Sequence, residues 1–400
     1  MLSEYRKKYN ANFSEKKYTA FLDDIAKQYD YRPKFKIAET PVFIPRALRE
    51  KLLEACDDII KVIDKENFKS LTDAAFFNEK DMVPNEDDRP KFIQIDFGVC
   101  KNEAGKLVPK LIELQGFPSL YCFQELLGHM YRKHFGDAIP KEFSQHINGM
   151  TPEEYVELLR AEIVGKTDPK QVVLLEIEPD NQATAIDFYA TRQLLGIKIL
   201  CITDLKKVGR ELFYDDENGK SIKILKIYNR IIFDELYQLN DLKTSFNFKD
   251  EVDVEWIGHP NWFFRISKYT MPLLTGDYVP KSYYLDKLER IPKDLENYVL
   301  KPLYSFAGAG VQINVTREMI DAIKNKSNYL LQEKVAYAPI IETMDTPAKC
   351  EIRMMMMHNS KTDNIEVVSN LIRLSKGEMV GVKYNRDKSW VGGSTGFYEP

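Results

Sequence analysis

The chain has 400 residues, of which 30% are charged and 44% hydrophobic, a composition typical of a globular protein with room for two or three domains. The formal net charge of −4 leaves no basic excess, which argues against nucleic acid as the main partner. The sequence has no apolar stretch typical of a signal peptide or a membrane-spanning helix, so we expect a cytoplasmic protein with no membrane partner.

The five cysteines are scattered along the chain and show no CxxC spacing. This pattern indicates neither a disulfide framework nor a zinc site. Reduced thiols, as in a cytoplasmic protein, are the expected state.

The first 90 residues have mostly helical periodicity. Apolar residues recur at three- and four-residue spacing in residues 17–29 and 46–65. The second of these segments predicts one apolar face, made of Leu52, Leu53, Cys56, Ile59, Ile60 and Ile63. No chemical motif lies here, so we predict that these helices cover a sheet formed by later residues.

Two alternating segments, residues 92–99 and 109–115, flank a polar turn and predict an antiparallel hairpin. Asp96 lies on the first strand, while Glu113 and Gln115 are two residues apart on the second and therefore share a face. If the register places Asp96 opposite them, three oxygen-bearing side chains meet, and such a set suits Mg²⁺. A solvated polar face on a half-buried hairpin is the alternative.

A new domain is predicted to begin at Thr151, where Pro152 and Glu154 complete a helix start with a capping box. Residues 171–177 form an apolar run typical of a buried parallel strand, and a helix over 182–195 and a strand over 197–202 follow. This order predicts a small Rossmann-like layer. It has no GxGxxG motif, so dinucleotide binding has no support.

A polar turn at residues 215–219 separates two further segments, 211–214 and 221–228, and predicts a second hairpin. Arg230 follows directly. Its guanidinium could hold a substrate carboxylate or pair with a nearby acid.

The most informative stretch is residues 298–313, an apolar strand that ends at Lys301 and Pro302 and is followed by a loop of small residues. Backbone N–H groups of such a loop can approach an anion closely, and Lys301 adds a positive charge at its edge. The loop is not a Walker A motif, because no Gly-Lys-Ser/Thr follows. A second strand is predicted to resume at Val311. An ordinary hairpin with a glycine turn and a surface lysine is the alternative.

Beyond this loop we predict a helix over residues 317–325 and a short strand over 329–335, whose exit at Gln332 and Glu333 could face an adenine edge. Two sheet segments follow at 350–357, with Arg353 and four consecutive methionines, and at 366–374, with Arg373. The methionines are interpreted as core filler.

Taken together, the motifs occur in one order. Asp96-Phe97 is followed by Lys110-Leu111-Ile112-Glu113-Leu114-Gln115 and by Phe117-Pro118-Ser119-Leu120, then by Lys268, Lys301-Pro302 with its glycine loop, and Gln332-Glu333. This order resembles the circularly permuted ATP-grasp ligases, most closely the glutathionylspermidine synthase type, over residues 91–400.

The resemblance implies an α/β fold with α+β elements, namely an ATP-grasp fold with a Rossmann-like pre-ATP-grasp layer and a helical N-terminal segment. The implied division is a helical segment at 1–90, a metal-binding hairpin of the ATP-grasp at 91–150, the Rossmann-like layer at 151–260 and the nucleotide-binding region at 261–400.

The resemblance also implies that ATP and Mg²⁺ are the cofactors. Asp96, Glu113 and Gln115 would hold the metal; the nucleotide would be bound by Lys268, Lys301, Ser305, Gly308, Gly310, Gln332 and Glu333. Two departures stand out: Gln94 replaces an arginine of the family pattern, and Gln115 replaces a metal-binding asparagine. The first leaves substrate choice and catalytic competence open.

The implied activity is an ATP-dependent carboxylate–amine ligase that acts on a small-molecule carboxylate and an amine through an acyl phosphate. Lys301, Arg353 and Arg373 are the candidate catalytic residues, the two arginines as holders of the acyl substrate or, alternatively, as structural ion pairs. A nucleotide-binding protein without ligase activity is the rival hypothesis, and an oxidoreductase built on residues 171–205 is a weaker third. The sequence indicates no oligomeric state.

Overall fold

The computed structural model describes residues 1–76, 81–239, 241–304, 310–381, 385 and 387–400, and only the backbone of Asp234. The described helices are α1 (Ser3–Asn12), α2 (Glu15–Tyr29), α3 (Arg46–Ile63), α4 (Phe68–Leu71), α5 (Tyr121–Phe135), α6 (Pro152–Ile163), α7 (Ala185–Leu195), α8 (Phe233–Gln238), α9 (Asn261–Arg265) and α10 (Arg317–Ala322). None of these helices has both the length and the apolar character needed to cross a bilayer.

The strands of the described residues form five separate sheets. They are β1 (Val42–Ile44), β2 (Phe92–Lys101), β3 (Leu107–Gln115), β4 (Val172–Glu176), β5 (Lys198–Cys201), β6 (Lys206–Val208), β7 (Glu211–Asp215), β8 (Ser221–Ile224), β9 (Lys226–Asn229), β10 (Glu255–Ile257), β11 (Ser282–Tyr284), β12 (Tyr298–Pro302), β13 (Tyr329–Glu333), β14 (Lys349–Asn359), β15 (Asn364–Ser375), β16 (Gly392–Ser394) and β17 (Gly396–Tyr398). The predicted mixture of helix and sheet is confirmed.

The largest sheet has the order β16-β15-β14-β2-β3, and all its neighbouring strands are antiparallel. The predicted hairpin is its β2-β3 pair. Asp96 lies opposite Glu113, and Gln94 lies opposite Gln115. Because opposite residues of an antiparallel pair share a face, these four polar side chains lie on one side of the sheet.

The opposite face of this sheet is apolar and packs against α3. Its residues join those of α3 in one core cluster, which includes Leu52, Ile59, Ile95, Phe97 and Ile352. Of the two predicted helices, α3 therefore covers this sheet, whereas the buried residues of α2 lie in a different core cluster, together with those of α5. The four consecutive methionines of β14 are all buried, in agreement with their interpretation as core filler.

A parallel sheet of order β10-β9-β4-β5 contains the predicted strand–helix–strand unit, with α7 between β4 and β5. The helix ends where Gly196 takes a left-handed conformation with a φ of 75°. Thr151 and Glu154 form the predicted capping box at the start of α6.

Several predicted boundaries are wrong. Residues 221–228 do not form one strand: the chain changes sheets at Leu225, so β8 completes the β6-β7-β8 sheet and β9 joins the parallel one. No strand resumes at Val311, where Gln312 makes only an isolated bridge to Leu300. Helix α10 ends at Ala322, because Ile323 is extended.

Arg230 forms a buried ion pair and does not line a cleft wall. Its Nη1 donates to Asp187 Oδ2 at 2.5 Å, and the guanidinium lies over the ring of Phe188. Asp187 also accepts hydrogen bonds from the backbone N–H groups of Leu120, Cys122 and Phe123 at the start of α5. A carboxylate there satisfies donors that have no partner within the helix.

We expect Asp187→Asn to lower the free energy of unfolding by roughly 3–5 kcal/mol, because it leaves the Arg230 charge buried without a partner. Denaturant unfolding monitored by circular dichroism measures the change. The exposed Asp137→Asn is the matched control, with a change within about 0.5 kcal/mol. Equal stability of the two variants would show that the ion pair does not anchor α5.

Candidate functional site

A cleft of about 1080 Å³ lies over the polar face of the large sheet and is closed on one side by the β11-β13-β12 sheet. Seven of the predicted site residues line it: Glu113, Lys268, Lys301, Gln332, Glu333, Arg353 and Arg373. Asp96, Gln115 and Gly310 are not among its lining residues. The predicted Ser305 and Gly308 lie outside the described residues.

Asp96 is held by two arginines from neighbouring strands. Arg353 on β14 donates to both its oxygens, Nε to Oδ1 at 2.6 Å and Nη2 to Oδ2 at 2.7 Å, and Arg373 on β15 also donates to Oδ2. Asp96 is 1% exposed. Burial by itself raises its pKa, but the charges and hydrogen bonds of the two guanidiniums outweigh burial and lower the pKa of this carboxyl below its ordinary value.

Arg353 is held by protein partners on every nitrogen of its guanidinium. Besides its bidentate contact with Asp96, its Nη1 donates to Gln94 Oε1 at 2.9 Å, so the guanidinium is engaged on three nitrogens. For Arg353 the structure thus shows a structural ion pair, the alternative to binding the acyl substrate. Arg373 differs: its side chain is 30% exposed, and its Nε has no partner among the described residues.

The predicted metal donors do not fit a magnesium ion as they are arranged here. Both oxygens of Asp96 accept from arginine, and the Gln115 amide donates to Gln94 Oε1 at 2.6 Å and to the carbonyl of Phe117 at 3.2 Å. Of the three, only Glu113 reaches the cleft. Within the described part of the chain, no group of three or more His, Cys, Asp or Glu side chains could hold a metal ion.

Two lysines face the same cleft from different elements. Lys268 begins the 3₁₀ helix Lys268–Leu273 and has its Nζ 3.9 Å from Glu113 Oε2. Lys301 lies on β12 and donates from Nζ to the carbonyl of Ile112 at 2.8 Å. Burial and the nearby Lys268 charge lower the pKa of Lys301 to about 8, although the Glu113 carboxylate opposes the shift.

Gln332 and Glu333 lie at the exit of β13, on the cleft wall, as the strand pattern predicted. Gln332 pairs with Val299 across the sheet, is 1% exposed, and its Nε2 has no partner among the described residues. Glu333 Oε2 accepts from the backbone N–H of Lys281 at 3.1 Å. A buried donor without an acceptor favours a ligand that supplies one.

Sequence reasoning missed Glu351 and Tyr337. Glu351 Oε1 lies 2.5 Å from Arg373 Nη2, and Tyr337 donates to its Oε2 at 2.6 Å. The alternation of β14 contained a signal, since Glu351 is two residues from Arg353 and shares its face. Tyr337 lies in an irregular segment after β13 and left no such signal.

No family model and no curated protein matches this sequence. Among solved structures, the apo form of a glutathione synthetase-like effector from Globodera pallida matches with a TM-score of 0.58, covers 96% of each chain and is 13% identical. At that identity the likeness shows the fold alone. The chain thus has a glutathione synthetase-like fold of ATP-grasp type, and the neighbour's name lends no support to the narrower glutathionylspermidine synthase type.

We expect Asp96→Asn to destabilise the protein by roughly 3–5 kcal/mol, because it leaves the buried Arg353 guanidinium and the half-buried Arg373 guanidinium with too little negative charge. Glu103→Gln, in the exposed turn of the same hairpin, is the matched control and should change the stability by less than about 0.5 kcal/mol. Urea unfolding of both variants in EDTA measures the difference. If Asp96 were instead one of several clustered metal-binding carboxylates, its neutralisation would stabilise the metal-free protein by relieving repulsion.

Proposed function

We propose that the cleft binds ATP and that the protein is an ATP-dependent ligase joining a small-molecule carboxylate to an amine. The observation that carries this proposal is Lys301. The residue is 7% exposed, and its ammonium forms no salt bridge among the described residues and has one neutral carbonyl as its hydrogen-bond partner. A buried ammonium without a directly paired carboxylate is costly, and the nearby Glu113 charge offsets only part of that cost, so an anionic ligand in the cleft is the natural partner.

A nucleotide fits the remaining wall. Lys268 adds a second ammonium on the same side of the cleft, and Gln332 offers an unpartnered amide donor at the strand exit. Pockets for one small ligand measure roughly 300–1,000 Å³. The cleft, at about 1080 Å³, lies at the upper end of this range and is large enough for a nucleotide.

The chemistry follows from the weakness of carboxylates as electrophiles. A carboxylate oxygen attacks the γ-phosphorus of ATP, the bond to the β-phosphate oxygen breaks, and an acyl phosphate and ADP result. A neutral amine then attacks the acyl carbon, inorganic phosphate leaves, and the amine nitrogen releases a proton to solvent. In this reaction Lys301 and Lys268 balance phosphate charge, and Arg373 orients the carboxylate.

A bound Mg²⁺ would neutralise phosphate charge, but the donors described above do not fit it as arranged, and no step above depends on it. This geometry favours a second candidate function. A protein whose Asp96 is committed to two arginines, and which has Gln94 in place of the family's arginine, could bind a nucleotide without transferring its phosphoryl group.

We expect the protein to bind ATP, and Lys301→Met to weaken binding at pH 7 by at least tenfold, because the substitution removes the ammonium and keeps the side-chain length. Isothermal titration calorimetry measures the affinity. The exposed Lys324→Met, outside the cleft, is the matched control and should bind as the unmodified protein does.

The pH dependence is an independent readout of the same group. Because the pKa of Lys301 is lowered to about 8, its charge is present at pH 7 and is lost as the pH rises through 8. ATP affinity should therefore fall between pH 7 and pH 9 in the unmodified protein and change less in Lys301→Met. Identical pH profiles would remove Lys301 from the site.

Ligase activity has its own test. Purified protein with ATP and Mg²⁺ is incubated with pairs from a panel of carboxylates and amines, and ADP and phosphate are measured. Release that requires both an acid and an amine supports the ligase. ATP binding without any substrate-dependent ADP would leave the nucleotide-binding protein as the function.

A further inference from the structure

One end of the cleft lies at β12, the strand that carries Lys301, and the other end is apolar. Its wall, called here the α5 wall, combines the first turns of α5 with segments before β1 and β16: Phe35, Leu120, Phe123, Gln124, Leu127 and Val391. Phe35 and Phe123 meet edge to face with ring centroids 5.5 Å apart. These side chains offer a rigid apolar surface to a ligand.

The position of this wall is fixed by backbone contacts. Leu120 has a φ of 65°, a left-handed conformation that is uncommon for a residue with a branched side chain. Its N–H is held by Asp187 Oδ2 at 3.1 Å, the same carboxylate that caps α5. The wall is therefore part of the rigid scaffold and not a flexible loop.

One polar side chain, the amide of Gln124, interrupts the α5 wall. Gln124 is 1% exposed, and its Oε1 is buried and has no hydrogen-bond partner among the described residues. Buried side-chain acceptors are almost always satisfied in folded proteins. Because Gln124 lines the cleft, a ligand with an N–H or O–H donor would give its Oε1 a hydrogen-bond partner.

A cation stands beside the α5 wall. Arg373 on β15 pairs with Gly393 on β16, and both line the cleft. A Cβ at Gly393 would lie 3.8 Å from the Phe35 ring and from the Lys36 carbonyl, an ordinary contact distance, so a larger side chain at this position would stand between Arg373 and the aromatic pair. The Arg373 Nε has no acceptor among the described residues.

We propose that the α5 wall is the specificity pocket for the acid substrate, and that this acid is an apolar one with a hydrogen-bond donor near its carboxylate, the chemical class of aromatic and branched-chain amino acids. The carboxylate meets Arg373, the apolar side chain packs against Phe35 and Phe123, and the donor binds Gln124 Oε1. This inference rests on the proposed function, because it assigns the acid of that reaction.

The test is calorimetric titration of the full-length protein with phenylalanine and leucine, and with glutamate and spermidine as polar comparisons. The apolar amino acids should bind at least tenfold more tightly than either comparison. Gln124→Leu, which keeps the size and removes the acceptor, should weaken phenylalanine binding about tenfold. Gly393→Val, which fills the opening, should weaken it further.

ATP titrations of the same variants separate this inference from the proposed function. Both variants should bind ATP as the unmodified protein does, because neither residue lies on the lysine-bearing side of the cleft. Normal ATP binding with no preference for apolar acids, or with no effect of either substitution, would overturn the assignment of the acid alone. Binding of apolar acids without ATP binding would overturn the nucleotide proposal, and binding of neither ligand would overturn both.

Discussion

The structure depends on one buried ion cluster. In it the Asp96 carboxylate on β2 accepts hydrogen bonds from Arg353 on the adjacent strand β14 and from Arg373 on the next strand, β15. The cluster ties β2, β14 and β15 together on the polar face, while their other face packs against α3. Removing one charge of such a cluster lowers the stability far more than replacing all its charged residues with well-packed apolar ones. It also decides the chemistry of the cleft, because the floor presents guanidiniums where the sequence motif predicted a carboxylate for a metal.

The sequence predicted the hairpin well because its evidence is local. Strand alternation fixes which side chains share a face, and a short polar turn brings Asp96 opposite Glu113. The partners of Asp96 could not be predicted in this way, since Arg353 is 257 positions away in the chain. Alternation in β14 shows that Arg353 has a preferred face, but not which strand that face adjoins.

The same limit explains the other differences. Arg230 follows a strand, and the sequence leaves open whether it binds a substrate or an acid, because its partner Asp187 comes from a helix 43 positions earlier. Lys301 could equally have been a surface lysine, and only the close approach of Ile112 shows that it is buried. The pattern of residues 221–228 predicts one strand, because a single residue, Leu225, separates β8 in one sheet from β9 in another. In these three cases the sequence did not show how an element packs against its neighbours, whereas the strand predicted to resume at Val311 does not form.

The two ends of the cleft have different physical character, and the arginine floor lies between them. Toward β12 the wall carries two ammoniums, and toward α5 it carries aromatic rings and an unsatisfied amide oxygen. A phosphoryl transfer to a carboxylate requires both ligands to meet over one cationic surface. Asp96 holds one edge of the Arg353 guanidinium and Gln94 holds its third nitrogen, whereas Arg373 is held by carboxylates on only one nitrogen. Arg373 is therefore the arginine placed to face the acid. The ion cluster therefore does not compete with ligand binding. It determines that the ligand contacts Arg373 and not Arg353.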